Sequence, residues 1–460
     1  METIAVIGGG PAGYVAAITA AQKGRNVILI ERQSLGGTCL NEGCMPTKAL
    51  LETATRLDKV KEAHLLGVKV NEGAIEIDWS AAQQYKNNIT TNLVAGIQFL
   101  MKKNKITVLN GEASFIDRYQ LQVLNDKGVQ TVKADKYIIA TGADPIEIPI
   151  ARFDGEWVIN STQALTLSEV PDSLLIIGGG VIGCEFASIY SRLGTKVTIV
   201  EMSNHLLPGE DAKVVSILEN NLKKSGVTMY TSSKVINVDN ANQQIHVETN
   251  EGKIQLEANK VLVSVGRKPR VTGLNLENIG VKLTKQGSIQ VNEAMETTIP
   301  GIYACGDVIG GMQLAHVGFH EGKVAAANAC GEVETVQYHV VPRCIYTSPE
   351  IASVGLNESQ AKEQYGDIRI GEFSFSANGK AMIEGERVGK VKVIVEAEYN
   401  EIVGVSIIGP HATELIGQGV IMMHSEMTAD AMKDLITAHP TLSESIHEAL
   451  LSVIGEQIHF

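Results

Sequence analysis

Two copies of one glycine pattern, offset by 170 residues, constrain this chain more than any other feature. Residues 3–13 read TIAVIGGGPAG, and residues 173–183 read SLLIIGGGVIG. Each is a short apolar run, as expected of a buried strand, followed by G-x-G-x-x-G. The glycines are Gly8, Gly10 and Gly13, then Gly178, Gly180 and Gly183, with Val181 and Ile182 inside the second turn. A helical stretch follows each, then a second apolar run that ends in an acid. These runs are NVILIE at Glu31 and KVTIVE at Glu201, both 18 residues past the third glycine. In such a unit the first glycine makes the tight turn and the second lets the backbone approach a pyrophosphate. The third admits close helix–strand contact. The helix N-terminus favours phosphate charge.

One such pattern is weak. Strand, glycines, helix, strand and acid in order, twice, predict two dinucleotide sites. That means two cofactors, or a cofactor and a substrate. The terminal acid suits paired ribose hydroxyls. A carboxylate at Glu201 repels a ribose 2′-phosphate, which favours NAD(H) over NADP(H), and Glu31 makes the same argument for an FAD adenosine. KYIIATGADP (136–145) closes the first unit on Thr141 and Gly142, where small residues permit close contact with a ligand. KVLVSVGRKP (260–269) closes the second in the same way, and TTIPGIYACGD (297–307) is a further strand-like run ending in a Gly-Asp turn. From about residue 341 the texture changes, and GKVKVIVEAEYNEIVGVSIIG alternates with period two, which predicts antiparallel strands. Helical segments follow through 412–455. The expected class is α/β: two Rossmann-like dinucleotide-binding domains plus a C-terminal α+β domain. The expected boundaries are 1–145, 146–270, 271–340 (completing the first domain) and 341–460.

A net charge of −13 and the lack of a Lys/Arg run exclude an electrostatic footprint for nucleic acid. No uncharged apolar stretch approaches the roughly 18–20 residues of a membrane span. METIAVIGGG has neither the basic start nor the cleavage site of a secretory signal. A cytoplasmic protein is expected.

Only six cysteines occur in 460 residues, and two of them, Cys39 and Cys44, share GGTCLNEGCMPTKALL (36–51). Cys184, Cys305, Cys330 and Cys344 sit in apolar or Gly-rich contexts and are expected to be small buried hydrophobes. For the close pair three readings compete. A zinc site needs about four ligands at short spacings, and no second pair lies near, so no metal is expected. A structural staple is disfavoured in a reducing compartment. A redox-active disulfide is the remaining reading. Five residues of regular helix rise about 7.5 Å, at or beyond the roughly 7 Å Cα limit for a disulfide. A bonded pair therefore requires a break between 39 and 44, with helix starting near Cys44 and Pro46 in its first turn. A thiolate at a helix N-terminus is stabilised by the dipole.

With these residues in view, the chain resembles the flavoprotein pyridine nucleotide–disulfide oxidoreductases from GGGPAGYVAA to AHPTLSE (438–444). The resemblance implies FAD at Gly8, Gly10, Gly13, Glu31, Gly37, Thr38, Lys48, Ala113, Thr141, Gly142, Asp307 and Ala315. It implies NAD at Gly178, Gly180, Val181, Ile182, Gly183, Glu185, Glu201, Val235 and Gly266. Cys39 would be the interchange thiol, Cys44 the flavin-facing thiol, and Lys48 would pair with Glu185. His439 and Glu444 would be the acid/base dyad, serving the cysteines of the other subunit of a homodimer. Taken alone, Thr441-x-x-Glu444 also reads as a capping box. A dithiol attacks only as thiolate, so the chemistry needs a base; imidazole titrates in range and a carboxylate orients it.

The branch of the family that the residues most resemble oxidises a protein-bound dihydrolipoyl group and reduces NAD⁺. Its expected partner is a lipoylated E2 subunit or H-protein of a 2-oxo acid or acetoin dehydrogenase complex or glycine cleavage system. Glu201-Met202-Ser203 argues against a glutathione-reductase-like preference for NADPH. The ending GEQIHF lacks the cysteine pair usual in mercuric reductases. The intact cysteines and dyad argue against a non-catalytic redox sensor. Three positions depart from the family's commonest pattern: Glu42 and Met45 in the cysteine stretch, and Cys305. Ala113 stands where a second glycine is frequent. Glu42, between the two sulfurs, is expected to tune the disulfide's potential.

Overall fold

The computed structural model describes residues 1–71, 73 and 75–459. The glycine repeat is reproduced as architecture. Thr3–Ile7 pairs in parallel with Asn26–Glu31 on one side and Lys136–Ile139 on the other. Ser173–Ile177 does the same with Lys196–Val200 and Lys260–Val263. Even the register repeats: Ile4 lies opposite Val27, and Leu174 opposite Val197. These strands are runs of Val, Ile, Leu and Ala with almost no exposed surface, as expected for a parallel sheet covered on both faces. Each buried Val, Leu or Ile side chain contributes roughly 1.5–3 kcal/mol.

The first parallel sheet runs in the order Ile302–Ala304, Lys136–Ile139, Thr3–Ile7, Asn26–Glu31, Thr107–Asn110. Its edge strand therefore comes from beyond the second glycine unit. The second sheet has the same plan: Val158–Ile159, Lys260–Val263, Ser173–Ile177, Lys196–Val200, Thr228–Tyr230. Each unit carries a three-stranded antiparallel appendage, at 112–133 and 234–257. A two-stranded ribbon, Ala143–Pro145 against Arg267–Pro269, ties the two units together where their third strands end.

The helix Pro11–Gln22 packs against Ala315–Ala329. The approach is close because Gly322 faces the Ala12 carbonyl oxygen, which any Cβ would meet at 2.3 Å. This contact sets Ala315 at the edge of the first nucleotide unit.

The C-terminal part holds an antiparallel sheet of five strands in the order Arg343–Ile345, Glu350–Gly355, Ile402–Gly409, Lys390–Glu396, Ile368–Ser374. Its antiparallel character is as the sequence predicts. Lys390–Glu396 is buried at six of seven positions and Ile402–Gly409 at all eight. Period two implies one face in water, but here one face is covered by the helices Ala412–His424 and Glu444–Ile454 and the other by the body of the molecule. Lys392 is fully enclosed within this sheet.

Candidate active site

Two helices meet at the cysteines. Gly37–Asn41 carries Cys39, and Cys44–Lys61 begins on Cys44, with Pro46 in its first turn. Glu42 and Gly43 form the required break; Gly43 adopts φ −146°, ψ −109°, and its carbonyl accepts the Thr47 N–H. Gly37, at φ +55°, lies against Gly10, and a Cβ there would stand 2.6 Å from the Gly10 Cα. The cysteine segment is thus seated directly on the first phosphate turn.

The two thiols lie close enough to perturb each other's ionisation. Their environments push them apart electrically. The hydrogen bond to Cys44, burial and the Cys44 charge all push Cys39 up. Cys44 is lowered to about 7. The hydrogen bond from Cys39 is the main cause; burial opposes it, and the Lys48 cation and the helix-start N–H add to it. Lys48 Nζ lies 2.8 Å from both carboxylate oxygens of Glu185. The same ammonium sits 4.4 Å over the Tyr346 ring, while the Tyr346 N–H donates to Glu185 at 3.0 Å. Glu185 belongs to the helix that follows the second glycine turn. One ion pair therefore joins the cysteine helix, the second nucleotide unit and the start of the C-terminal sheet.

Both nucleotide turns are shaped for a dinucleotide. Glu31 accepts the Gly9 N–H at 2.7 Å and the Gln33 N–H at 2.8 Å, one on each oxygen. Glu201 accepts the Gly179 and Ser203 N–H groups at 2.6 and 2.7 Å in the same manner. Each oxygen keeps a lone pair for a ribose hydroxyl. The helices Pro11–Gln22 and Val181–Arg192 start on Gly10 and Gly180 with no side-chain cap, as does Ala315–Ala329 on Leu314. Their first-turn N–H groups are available to an anion. A Cβ at Gly180 would meet nothing within 4 Å, whereas one at Gly8 or Gly178 would strike the next strand's carbonyl. The turns are closed towards the sheet and open towards a ligand. The Asp307 carboxylate accepts no side-chain hydrogen bond among the described residues, and burial raises it against the opposing charge of Arg267. A polyhydroxyl chain fits such an acceptor. Thr38, Thr141 and Gly142 are half-buried; the Thr141 hydroxyl donates to the Arg270 carbonyl, and Thr38 Oγ1 faces Arg267. Ala113 lies on the strand Glu112–Asp117, Val235 is buried on Lys234–Asp239, and Gly266 is exposed at φ +123° before the ribbon. FAD and NAD fit the residues present.

At the other end of the chain, His439 Nδ1 lies 2.9 Å from Glu444 Oε1, and the Thr441 N–H donates to Glu444 Oε2 at 2.7 Å. Only half of the capping box forms. The Thr441 hydroxyl turns to the Ala438 carbonyl and Ser443, and Ser443 is the cap of the helix Glu444–Ile454. Glu444 therefore serves both readings at once, one oxygen to each. Burial raises it, but the Thr441 N–H and His439 outweigh that and hold it below the usual carboxylate range. His439 is 79% exposed, and no hydrogen bond or ion pair links it to Cys39, Cys44, Lys48 or Glu185 among the described residues.

Several features were not anticipated. Arg267 donates to the Ala143 carbonyl, approaches Thr38 Oγ1 at 3.4 Å and Asp307 at 4.0 Å, and so spans ribbon, cysteine segment and candidate flavin acid. GRKP reads from sequence only as a strand end. Tyr346 reads only as part of a domain start. Of the four remaining cysteines, Cys184 and Cys305 are fully buried as expected, but Cys330 and Cys344 are half-buried, at a helix end and on an edge strand where the core cover thins. The Glu42 side chain makes no hydrogen bond among the described residues; it contributes favourable charge to Arg267 and Arg270.

The sequence profile of the family described as pyridine nucleotide-disulphide oxidoreductase matches residues 2–322, and that of the family's dimerisation domain matches residues 341–450. The chain belongs to the pyridine nucleotide-disulphide oxidoreductases. It is 53% identical over 457 residues to a dihydrolipoyl dehydrogenase of Bacillus subtilis strain 168, covering 99% of this chain and 100% of that one. It is 40% identical over 460 residues to the dihydrolipoyl dehydrogenase of Geobacillus stearothermophilus, covering 100% and 97%. Among solved structures, LpdA of Mycobacterium tuberculosis superposes with a TM-score of 0.91 at 28% identity, covering 98% of this chain and 99% of that one. No helix among the described residues is long and apolar enough to cross a membrane.

Proposed function

We propose that the protein is an FAD-containing dihydrolipoyl dehydrogenase that oxidises a dihydrolipoyl group to lipoyl and reduces NAD⁺ to NADH. The observation that carries this reading is the contact of Cys39 with Cys44 at a helix start, with Lys48 held beside them by Glu185 from the second nucleotide unit. A dithiol site is thereby joined to both dinucleotide turns.

His439, oriented by Glu444, takes a proton from one substrate thiol. The resulting thiolate attacks Cys39 Sγ in the Cys39–Cys44 disulfide. The Cys39–Cys44 bond breaks and a substrate–Cys39 bond forms. Cys44 leaves as a thiolate, which Lys48 and the helix start stabilise. The second substrate thiol gives up its proton and displaces Cys39, closing the lipoyl disulfide and leaving the enzyme's dithiol. FAD, when bound, supplies a two-electron relay between that dithiol and NAD⁺. The sum is one dithiol and NAD⁺ converted to one disulfide, NADH and a proton. Gly8, Gly10, Gly13, Glu31, Asp307 and Ala315 hold FAD, and Gly178, Gly180, Gly183, Glu201 and Gly266 hold NAD.

The reading includes a homodimer built through the C-terminal part, whose profile is that of a dimerisation domain. It also includes a cytoplasmic location, a lipoylated E2 or H-protein as substrate carrier, and division at 1–145, 146–270, 271–340 and 341–460. Steady-state assay of the FAD-loaded protein with dihydrolipoamide and NAD⁺ tests it. No turnover, or turnover only with NADPH and glutathione disulfide, refutes it.

A further inference from the structure

A lysine with no exposed surface is costly unless its charge is matched. Lys392, on the strand Lys390–Glu396, is such a residue. Its Nζ lies 2.7 Å from Asp211 Oδ2 and 2.8 Å from Glu358 Oε2. Glu358 opens a helix of the C-terminal part and also binds Lys213 and Lys362 at 3.0 and 2.9 Å. Asp211 belongs to the second nucleotide unit. It caps the helix Ala212–Lys224, accepting the Lys213 and Val214 N–H groups. The preceding residue is gripped as well: Glu210 takes Arg343 Nε at 2.8 Å and Ser353 Oγ at 2.7 Å. Asn357 reaches the Gly209 carbonyl at 3.4 Å. Residues 209–211 are thus clamped by three separate stretches of the C-terminal part.

The other end of this segment is the nucleotide turn itself. Glu201 accepts the Gly179 N–H at 2.6 Å, and the Leu207 N–H donates to the Gly179 carbonyl at 2.9 Å. Leu206 fills the place beside Gly179 where a Cβ would stand, 2.5 Å from its Cδ2. Residues 201–211 therefore run from the ribose-binding acid, across the back of the phosphate turn, to the clamp. An apolar residue of similar volume is often as stabilising as a buried ion pair, and charges earn their place by fixing one arrangement.

We propose that Lys392 is a positioning residue for NAD: through Asp211 it holds the 201–211 segment against Gly179 and so sets the second nucleotide site from within the C-terminal sheet. This rests on the reading of Gly178–Gly183 and Glu201 as that site. Among the described residues, no hydrogen bond or ion pair joins Cys39, Cys44 or Lys48 to Glu210, Asp211, Arg343 or Lys392.

The test is Lys392→Met in the FAD-loaded protein, with the two half-reactions followed separately by rapid mixing. Reduction of the flavin by dihydrolipoamide should stay close to wild type. The NAD⁺ concentration for half-maximal reoxidation should rise about three- to thirtyfold, the range that coupling through such a network supports. Lys392→Arg, which keeps the charge, should recover most of the loss. Arg343→Met opens the half of the clamp where the cation is 30% exposed, and should move NAD⁺ dependence in the same direction. An unchanged NAD⁺ dependence in these variants, or an equal fall in both half-reactions, overturns the proposal. If wild-type flavin is not reduced by dihydrolipoamide, the functional reading fails instead, and titration with NADH still reads the effect of Lys392.

Discussion

Lys48 and Glu185, 137 residues apart, face each other with the ammonium 2.8 Å from both carboxylate oxygens. Glu185 is 4% exposed and holds the cation where it lowers Cys44. Lys48→Met removes that cation and leaves a buried carboxylate to repel the thiolate. A nearby opposite charge is worth about one to three pKa units to its partner. The apparent pKa of Cys44 in the reduced enzyme should rise by about that much. It can be read from the thiolate-to-flavin absorption band as a function of pH, and an unmoved titration would show that the pair is only structural.

The wild-type titration carries its own prediction. Cys44 is lowered to about 7, chiefly by the hydrogen bond from Cys39, with Lys48 assisting. Its thiolate is present above that pH and is lost as pH falls through it. In the two-electron-reduced enzyme the thiolate band should therefore grow between about pH 6 and 8. Cys44→Ser should abolish the band, and Cys39→Ser should retain it. A band that survives in Cys44→Ser would reverse the assignment of the two sulfurs.

The parallel sheets were legible because their cause is local. Five apolar residues, three glycines and an acid at fixed spacing dictate strand, turn, helix and strand, and the duplication made the pattern hard to mistake. The break at Glu42–Gly43 was legible for a geometric reason: two sulfurs five residues apart cannot bond across regular helix. Arg267, Tyr346 and Lys392 were not legible. Each has at least one partner more than 100 residues away, and nothing in GRKP, CIYTS or KVKVIVE announces which carboxylate or carbonyl tertiary packing will supply. Lys392 shows why. A lysine in an alternating strand implies a solvent face, and only the fold brings Asp211 and Glu358 to cover it.

Glu201 does two jobs, and substitution should separate them. Its oxygens accept the Gly179 and Ser203 N–H groups and face the expected ribose. Glu201→Ala leaves both donors without their acceptor, at about 1–3 kcal/mol each where water cannot replace it. The kcat/KM for NAD⁺ should fall about ten- to a hundredfold, mainly through KM. The ratio of NAD⁺ to NADP⁺ efficiency should narrow, since the repelling carboxylate is gone. An unchanged ratio would place cofactor discrimination elsewhere.

His439 and Glu444 form a dyad 2.9 Å across that touches none of the cysteine residues of its own chain among those described. Glu444 is held below the usual carboxylate range, with the Thr441 N–H and His439 overcoming the effect of burial, so it stays ionised to favour imidazolium. A positioned acid/base contributes about 10²–10⁴-fold. His439→Gln should lower the rate of flavin reduction by dihydrolipoamide within that range. Its exposure fits a group that completes a site on a second copy of the chain. Two inactive variants, His439→Gln and Cys44→Ser, should then complement each other. After subunits are exchanged and reassembled, a mixed dimer pairs the intact histidine of one chain with the intact cysteines of the other and regains one working site. Equal mixing should restore about a quarter of wild-type activity, because half of the dimers are mixed and each has one site of two. No recovery, with subunit exchange verified by mass, would mean that the histidine serves its own chain.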